Sequence, residues 1–258
     1  MKICIAQTEP IKGNVSANIE AHKRFIELAL TLNAEAIFFP ELSLTGYEPE
    51  LAKKLATIQN DNRLDIFQET SDQNNIIIGL GLPTATESQI RISMIIFEPN
   101  KPRQTYSKQQ LHSDEFPYFE HGVGQVIIKT DDRNIAPAIC YESLQPAHAE
   151  NAFKLGADVY LASVAKPAKG VEKAYDHYPS VAKQYAMAVL MSNCVGFCDN
   201  FLSVGKSSVW TKEGKLVGQL DDKTEGILIF DTETEEVTER IIKKPLTSVC
   251  KMVDEVLL

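Results

Sequence analysis

The sequence lacks the basic clusters and the long apolar stretches that are typical of proteins bound to nucleic acids or membranes. Its 258 residues include 26 lysines and arginines against 35 aspartates and glutamates, a net charge of −9. A negatively charged chain without a basic patch argues against nucleic acid or an anionic membrane as the partner. No apolar run approaches the roughly 20 residues that a membrane-spanning helix needs. We therefore expect neither kind of partner.

Cysteine is sparse and oddly distributed. The five cysteines are scattered along the chain, apart from Cys194 and Cys198. The apolar run within Met1–Gln7 is too short for a secretory signal, and an odd number of cysteines without such a signal predicts reduced thiols and a cytoplasmic location. The Cys194–Cys198 spacing has no second ligand pair beside it, which argues against zinc. We predict no metal and no cofactor.

What the chain contains is the ordinary mixture of a globular α/β protein, with 44% hydrophobic and 24% charged residues. We find no internal repeat, low-complexity tract or linker, so we predict one domain over residues 1–258, with a C-terminal extension at about 232–258. Helices are predicted at about 14–32, 49–73, 146–155, 179–188 and 246–258. Hydrophobic patterning and turn residues predict strands at Lys2–Gln7, Ala34–Phe39, Ile76–Leu82, Ile90–Phe97, Gln104–Ser107, Val126–Lys129, Asn134–Ile139, Asp158–Ser163, Val189–Cys194, Gly205–Trp210, Leu216–Leu220 and Gly226–Phe230.

Three chemically reactive residues follow predicted strands directly: Glu41, Lys108 and Cys140. If those strands share a direction, their carboxyl ends bring a carboxylate, an ammonium and a thiol into one cleft. Acyl transfer needs these groups, because a thiolate attacks a carbonyl, a carboxylate moves protons and a cation stabilises the oxyanion. Cys140 also precedes a predicted helix, whose dipole would favour the thiolate. Taken singly, each residue has a simpler interpretation, a core cysteine or a solvated loop charge.

The segments around these residues resemble the motifs of one enzyme family. Phe38–Tyr47 resembles the first catalytic motif of the nitrilase superfamily of carbon–nitrogen hydrolases. Tyr106–Leu111, with its continuation to Gly122, resembles the lysine motif, and Pro137–Glu142 resembles the cysteine motif. The order also matches, and so do the spacings of 67 and 32 residues between the three reactive side chains. Lesser matches, including Ser192–Gly196, extend the resemblance over about residues 2–231.

This resemblance implies an αββα sandwich, usually paired into a homodimer. It implies that Glu41 is the general base, Cys140 the nucleophile and Lys108 the stabiliser of the oxyanion, helped by the backbone N–H of Tyr141. The implied activity is that of an amidase: a small amide or carbamoyl substrate releases ammonia and leaves a cysteine thioester, which water then cleaves. Many members have a second glutamate that positions the substrate, for which Glu115 is the better match and Glu120 the alternative.

The substrate pocket is expected in the loops near Tyr47, near Glu115 and after Ser163. Lys166 either binds an anionic substrate group there or is a solvated loop lysine. After Cys140 the chain lacks the arginine that clamps a carboxylate in several relatives. Glu142 instead resembles the Cys-Tyr-Glu of membrane-embedded acyltransferases of the superfamily, and its role stays open.

Other functions remain as alternatives. Within the enzyme class these are a true nitrilase and a thioester-dependent acyltransferase. Outside it, the chain would be a catalytically silent member that acts as a binding module. The presence of Glu41, Lys108 and Cys140 together argues against the silent member, since a binding module has no chemical need for all three. The histidines do not supply a Cys/His site of another fold.

Overall fold

Side chains alternate along the strands, yet both sets are buried. In β1 (Lys2–Gln7), Ile3 and Ile5 face one side and Cys4 and Ala6 the other, and none of the four is exposed to solvent. A strand that is apolar on both faces must belong to a sheet that is covered on both sides.

The computed structural model describes residues 1–87 and 89–242. Within them the helices are α1 (Val15–Thr31), α2 (Ala52–Leu55), α3 (Asp65–Asn74), α4 (Pro146–Lys154) and α5 (Ala168–Tyr185). The remaining strands are β2 (Ala36–Phe38), β3 (Ile77–Ala85), β4 (Ile90–Phe97), β5 (Gln104–Ser107), β6 (Ile128–Lys129), β7 (Asn134–Ile139), β8 (Val159–Val164), β9 (Ala188–Asn193), β10 (Val195–Cys198), β11 (Phe201–Val204), β12 (Ser208–Trp210), β13 (Leu216–Gln219), β14 (Glu225–Asp231) and β15 (Val237–Ile242). None of the helices described is long and apolar enough to cross a membrane.

Two mixed sheets and one hairpin contain these strands. The first sheet has the order β15-β14-β1-β2-β3-β4-β5 and the second the order β13-β12-β9-β8-β7-β6, while β10 and β11 pair with each other. Strands β1, β2 and β3 are parallel, and two successive antiparallel pairings return β5 to their direction. Strands β7, β8 and β9 form the parallel centre of the second sheet.

Three apolar cores separate four layers. The inner core lies between the sheets and joins side chains such as Ile5 and Phe38 of the first sheet to Leu161 of the second. A second core packs α1 and α3 on the outer face of the first sheet, and a third packs α4 and α5 on the outer face of the second. The αββα sandwich predicted from the sequence is therefore confirmed.

The helix predicted at residues 49–73 is interrupted. After α2 the chain is extended at Thr57, which exchanges backbone hydrogen bonds with the residues on either side of Thr84. Asp61 then accepts a hydrogen bond from the backbone N–H of Arg63 at 2.8 Å and starts the turn that leads into α3. A β-branched residue in a bridge and a capping aspartate thus break one helical pattern into two short helices.

The helix predicted at residues 179–188 begins eleven residues earlier, at Ala168, and Pro179 lies inside it. A proline costs a helix one N–H donor and some strain. Here the apolar face on both sides of Pro179, with Tyr178 and Val181, packs in the outer core of the second sheet. That packing outweighs the local preference of the proline.

Two strand regions were not predicted. The β10–β11 hairpin follows β9 directly, and β15 pairs antiparallel with β14 within the segment that the sequence analysis assigned to a C-terminal extension. β15 is an edge strand that carries charges such as Glu239 and Arg240, which limit pairing with other chains and hide the strand pattern. The C-terminal helix predicted at about 246–258 lies outside the described residues.

Candidate functional site

The three reactive residues meet where the two sheets face each other. Glu41 follows β2 and Lys108 follows β5, and both strands run in the same direction in the first sheet. Cys140 follows β7 of the second sheet, which packs against the first through the inner core. Glu41 and Lys108 are 2% and 0% exposed. The convergence of the strand ends that the sequence analysis required is therefore present, across two sheets rather than within one.

Lys108 is the centre of the cluster. Its Nζ donates to Oε1 of Glu41 at 2.7 Å and to Oε1 of Glu115 at 2.6 Å. Burial acts to lower the pKa of Lys108, but the negative charges of Glu41 and Glu115 outweigh burial and raise this pKa above its ordinary value. The ammonium therefore keeps its charge in an interior where an unpaired cation would not.

Glu41 has one free oxygen. Its Oε2 is buried and has no hydrogen-bond partner within the described part of the chain, while Oε1 is bound to Lys108. Burial raises the pKa of Glu41 to about 7, against the lowering effect of Lys108 and with a further increase from the charge of Glu115. A carboxyl with a pKa near 7 and an open oxygen can both accept and return a proton at neutral pH.

Cys140 stands in a strained turn. Its φ is +47°, in the left-handed region that non-glycine residues rarely adopt, and a 3₁₀ turn runs from Cys140 to Leu144. Such strain is often found where a side chain must be held toward a ligand. Its Sγ lies 3.7 Å from the carbonyl oxygen of Ala165.

The expected thiolate is not favoured in the free protein. Burial and then the charge of Glu41 raise the pKa of Cys140 to about 11, while Lys166 and Lys108 act in the opposite direction. α4 begins at Pro146, as predicted, but this is six positions after Cys140, so the thiol is not at the N-terminus of the helix and gains little from its dipole. The thiol is protonated at neutral pH and needs a base to react, and the charge of Glu41 acts on it directly.

Glu115, and not Glu120, lies beside Lys108. Glu115 is 1% exposed, and besides Lys108 it accepts a hydrogen bond from the Tyr47 hydroxyl at 2.9 Å and one from the backbone N–H of His112 at 2.8 Å. Glu120 is exposed, and its backbone N–H bonds to Ile90. Tyr47 therefore belongs to the cluster through Glu115.

The other residues predicted for the pocket, Tyr141, Ser163 and Lys166, differ in exposure and in their contacts. The Tyr141 side chain is exposed, and its backbone is at the second position of the 3₁₀ turn, where N–H groups have no partner within the turn. The Ser163 hydroxyl donates to the carbonyl of Phe39 at 2.7 Å and links β8 to the strand end that carries Glu41. A role for Ser163 in substrate binding stays a prediction. Lys166 is buried rather than solvated.

The structure gives Glu142 a position that the sequence left open. Its Oε1 accepts hydrogen bonds from the backbone N–H of Ile139 at 2.7 Å and from the Tyr106 hydroxyl at 2.5 Å. Its Oε2 accepts from the backbone N–H groups of Gln109 at 2.6 Å and Gln110 at 3.2 Å. Glu142 thus ties the segment after Lys108 to the strand end before Cys140. The only signal in the sequence was an acidic residue two positions after the cysteine.

Asn193 holds the segment after β8 in place. Its Oδ1 accepts from the backbone N–H of Lys166 at 2.9 Å, and its Nδ2 donates to the carbonyls of Lys166 at 3.3 Å and Gly205 at 2.7 Å. The sequence indicated this residue only through the lesser match at Ser192–Gly196. In the described ranges, no group of three or more His, Cys, Asp or Glu side chains is arranged to hold a metal ion.

Comparison with known families decides the relationship of the chain. A family model for carbon–nitrogen hydrolases matches residues 2–241. The chain belongs to the carbon–nitrogen hydrolase family. The resemblance to the nitrilase superfamily found in the sequence motifs is confirmed.

Curated members of this family align at low identity. A glutamine-dependent NAD(+) synthetase from Thermotoga maritima is 23% identical over 246 residues, which are 92% of this chain and 42% of the relative. A hydrolase in the agr operon of Staphylococcus aureus is 22% identical over 93% of this chain and 94% of its own length. An ω-amidase from Escherichia coli K12 is 24% identical over 65% of this chain and 64% of its own length. The chain spans about two fifths of the length of the NAD(+) synthetases that it matches.

Solved structures of the family share the fold. The NitN amidase from Nesterenkonia sp. AN1 superposes with a TM-score of 0.82 at 20% identity, over 90% of this chain and 92% of that one. A glutamate-to-glutamine variant of that amidase, with acrylamide added at its active-site cysteine, superposes with a TM-score of 0.83 at 20% identity. The match covers 91% of this chain and 94% of that one. The glutamine-dependent NAD+ synthetase from Acinetobacter baumannii gives 0.76 at 21% identity, over 95% of this chain and 48% of that one.

Proposed function

We propose that this carbon–nitrogen hydrolase is an amidase that releases ammonia from a small amide or carbamoyl compound through a cysteine thioester. The observation that supports this most directly is the placement of the Lys108 ammonium between Glu41 and Glu115, next to the half-buried thiol of Cys140. A cation held by two carboxylates is positioned before any substrate arrives, which is the condition for stabilising an oxyanion without reorganisation.

The acylation step begins with a proton transfer. Glu41 takes the thiol proton of Cys140 through its free oxygen as the sulfur attacks the amide carbonyl and a carbon–sulfur bond forms. The negative charge that develops on the carbonyl oxygen is stabilised by Lys108 and by the backbone N–H of Tyr141. Protonated Glu41 then gives its proton to the nitrogen as the carbon–nitrogen bond breaks. Ammonia leaves and the thioester remains.

Hydrolysis repeats the same chemistry with water. Glu41, ionised again, removes a proton from a water molecule that attacks the thioester carbonyl, and Lys108 again faces the oxyanion. The carbon–sulfur bond breaks, the carboxylic acid leaves, and the proton held by Glu41 returns to Cys140. A carboxyl with a pKa of about 7 suits both directions of transfer, because each protonation state is accessible at neutral pH.

The second carboxylate, that of Glu115, orients the substrate in this proposal. Glu115 carries one oxygen toward Lys108 and is held by Tyr47 and by the backbone of His112. Because its position is determined from three sides, it is suited to accept a hydrogen bond from the substrate's amide nitrogen and to orient the carbonyl toward Cys140. Glu120 is exposed, and Lys108 bonds to Glu115 instead, so Glu120 has no such role in this proposal.

The test is ammonia release from a panel of ω-amides, carbamoyl amines, aliphatic amides and nitriles, with Cys140→Ala as the matched control. Turnover of amides by the native protein and none by the variant is the expected result. Preferential turnover of nitriles would favour the true nitrilase. Amide formation from a thioester in the presence of an amine, faster than hydrolysis, would favour the acyltransferase. No turnover of any member of the panel and no acylation of Cys140 would favour the silent binding member.

Glutamine is the second candidate substrate. The observation in its favour is that the glutamine-dependent NAD(+) synthetases align with 88–92% of this chain over only part of their own length. A chain with that role would hydrolyse the side-chain amide of glutamine and supply the ammonia to another reaction. Glutamine belongs in the same panel, and a kcat/KM for glutamine below that for simple ω-amides would remove this candidate.

The assembly and location of the protein remain proposals. A homodimer is expected from the family resemblance, and sedimentation of the purified protein would test it. A cytoplasmic location is expected from its unpaired cysteines, of which Cys4, Cys140, Cys194 and Cys198 are free thiols in the structure. Fractionation of the source cells would test the location.

A further inference from the structure

A chain of four buried polar side chains extends from Glu142 to β8. The Tyr106 hydroxyl lies 2.5 Å from Oε1 of Glu142 and 2.9 Å from Nε2 of His148. The other ring nitrogen of His148, Nδ1, lies 2.8 Å from the Tyr160 hydroxyl. None of the four side chains is more than 4% exposed, so these groups bind one another rather than bulk solvent.

The direction of the hydrogen bonds is determined at the Glu142 end. Each carboxylate oxygen of Glu142 accepts from a backbone N–H group, Oε1 at 2.7 Å and Oε2 at 2.6 Å. Since a carboxylate can only accept, the Tyr106 hydroxyl donates its proton to Oε1. The Tyr106 oxygen then has only lone pairs to offer. The side-chain N–H of Gln109, at 3.1 Å, is a donor toward one of them.

This direction determines the tautomer of His148. Because the Tyr106 oxygen has given its proton to Glu142, it binds His148 only as an acceptor, and Nε2 must carry the ring proton. Nδ1 is then unprotonated and accepts from the Tyr160 hydroxyl. Burial lowers the pKa of His148 to about 4, so the ring is neutral at neutral pH and has one donor and one acceptor.

This network reaches both reactive groups through the backbone. Tyr106 lies two residues before Lys108, and Glu142 binds its hydroxyl. The residue directly after Lys108 donates its backbone N–H to Glu142 at 2.6 Å. The residue directly before Cys140 donates its backbone N–H to the same carboxylate at 2.7 Å. The separation between the ammonium of Lys108 and the thiol of Cys140 therefore depends on the donors that Glu142 keeps.

We propose that His148 is a positioning residue for acylation. By donating from Nε2 to Tyr106, it directs the Tyr106 proton to Glu142, so that the carboxylate keeps all its donors. In the opposite tautomer, Nε2 would accept and would compete with Glu142 for that proton. The Lys108 backbone would then be bound to Glu142 only on the side that follows Lys108. This inference rests on the amidase activity proposed above and adds a residue that its mechanism does not include.

The tautomer is measured directly by heteronuclear NMR of the histidine rings in the native protein. The signals of His148 are identified by their absence in His148→Gln. A protonated Nε2 with an unprotonated Nδ1 at neutral pH is the expected result. The opposite tautomer overturns the proposal, because the Tyr106 hydroxyl would then donate to His148 instead of Glu142. This measurement needs no turnover and no destabilised variant.

Two variants separate the two sides of the His148 ring. Glutamine places an NH2 group near the position of Nε2 and can still donate to Tyr106, whereas asparagine reaches only to the position of Nδ1. His148→Asn is expected to slow acylation of Cys140 about tenfold or more in stopped-flow measurements, through kcat and with little change in KM. His148→Gln is expected to retain most of the native rate. Equal slowing in both variants, or native rates in both, refutes the positioning role.

A double-mutant cycle shows whether His148 acts through Tyr106. In a Tyr106→Phe background, the effect of His148→Asn on acylation is expected to fall to about twofold or less, because the hydroxyl that His148 directs is absent. Tyr175→Phe is the matched control background, since its hydroxyl binds Ser208 outside this network, and there the full effect is expected to remain. An equal effect in both backgrounds refutes the proposal. If the native protein turns over no amide, the proposed activity fails, and the ring tautomer together with the alkylation rate of Cys140 in these variants still tests this inference.

Discussion

Replacing Glu142 by glutamine tests whether the active-site segments are held together by this one carboxylate. The substitution conserves size but exchanges one acceptor oxygen for an NH2 donor. Glu142 accepts four hydrogen bonds, two at each oxygen, from Ile139, Tyr106, Gln109 and Gln110. A glutamine carbonyl can replace one oxygen, and its NH2 group then faces the two donors that the other oxygen served.

The magnitude follows from the donors that lose their acceptor. Two donors are left without this partner, and each costs roughly 1–3 kcal/mol, so the free energy of unfolding should fall by roughly 2–6 kcal/mol. The free energy of unfolding of a typical domain is about 5–15 kcal/mol, so the variant is expected to fold but to be less stable than the native protein. Glu150→Gln, at an exposed pair with Lys154, is the matched control and should change stability by less than about 1 kcal/mol.

The catalytic consequence is measured by stopped-flow acylation in a double-mutant cycle with Lys108→Met. Because Glu142 acts by positioning the segment that follows Lys108, its loss is expected to slow acylation about tenfold or more in the native background and much less once the ammonium is gone. The rate of Cys140 alkylation against pH reports the same coupling without a substrate. An equal slowing in both backgrounds, or an unfolding free energy unchanged in urea titrations, would refute the positioning role.

Further predictions concern the three central residues and the chemistry around them. Cys140→Ser is expected to abolish turnover with the fold intact. Iodoacetamide should label Cys140 before Cys4, Cys194, Cys198 or Cys250, as read by peptide mass spectrometry. Faster labelling of another cysteine, with Cys140 inert, would exclude Cys140 as the nucleophile. Lys108→Met is expected to lower the acylation rate roughly a hundredfold or more with a smaller change in substrate affinity, and to slow Cys140 alkylation at neutral pH; native values in both measurements would exclude Lys108 from the site. The general base must be ionised to act, and the pKa of Glu41 is raised to about 7, so kcat/KM is expected to rise with pH through about 7. A flat profile of kcat/KM between about pH 5 and 8, a range chosen to span that pKa, would contradict Glu41 as the base. Exhaustive chelation is expected to leave activity intact, and a loss restored by zinc or magnesium would refute the metal-free mechanism.

Local sequence determined the strand ends and the identity of the reactive groups. The apolar runs before Glu41 and Cys140 are short and stop abruptly, and a short strand-like segment, Gln104–Ser107, precedes Lys108, so the pattern indicated strands with a reactive side chain just beyond. The same locality explains the errors. Thr57 joins a bridge to Thr84 and breaks a predicted helix, and Pro179 lies within a helix because the residues around it pack in a core. Neither contact can be recognised from neighbours in the chain.

Electrostatic environment was decided only by the tertiary structure. The sequence favoured Glu115 over Glu120 only by resemblance, and the structure separates them physically, because Glu115 is buried beside Lys108 and Glu120 is exposed. In the sequence Lys166 could be a solvated loop lysine or a pocket residue, and the structure shows that it is buried. The pKa of Cys140 is raised by burial and by Glu41, a residue about a hundred positions earlier. The sequence by itself determined which groups are present and at which strand ends. The packing of two sheets decided how far apart those groups lie and how much water reaches them, because these quantities depend on contacts between distant segments.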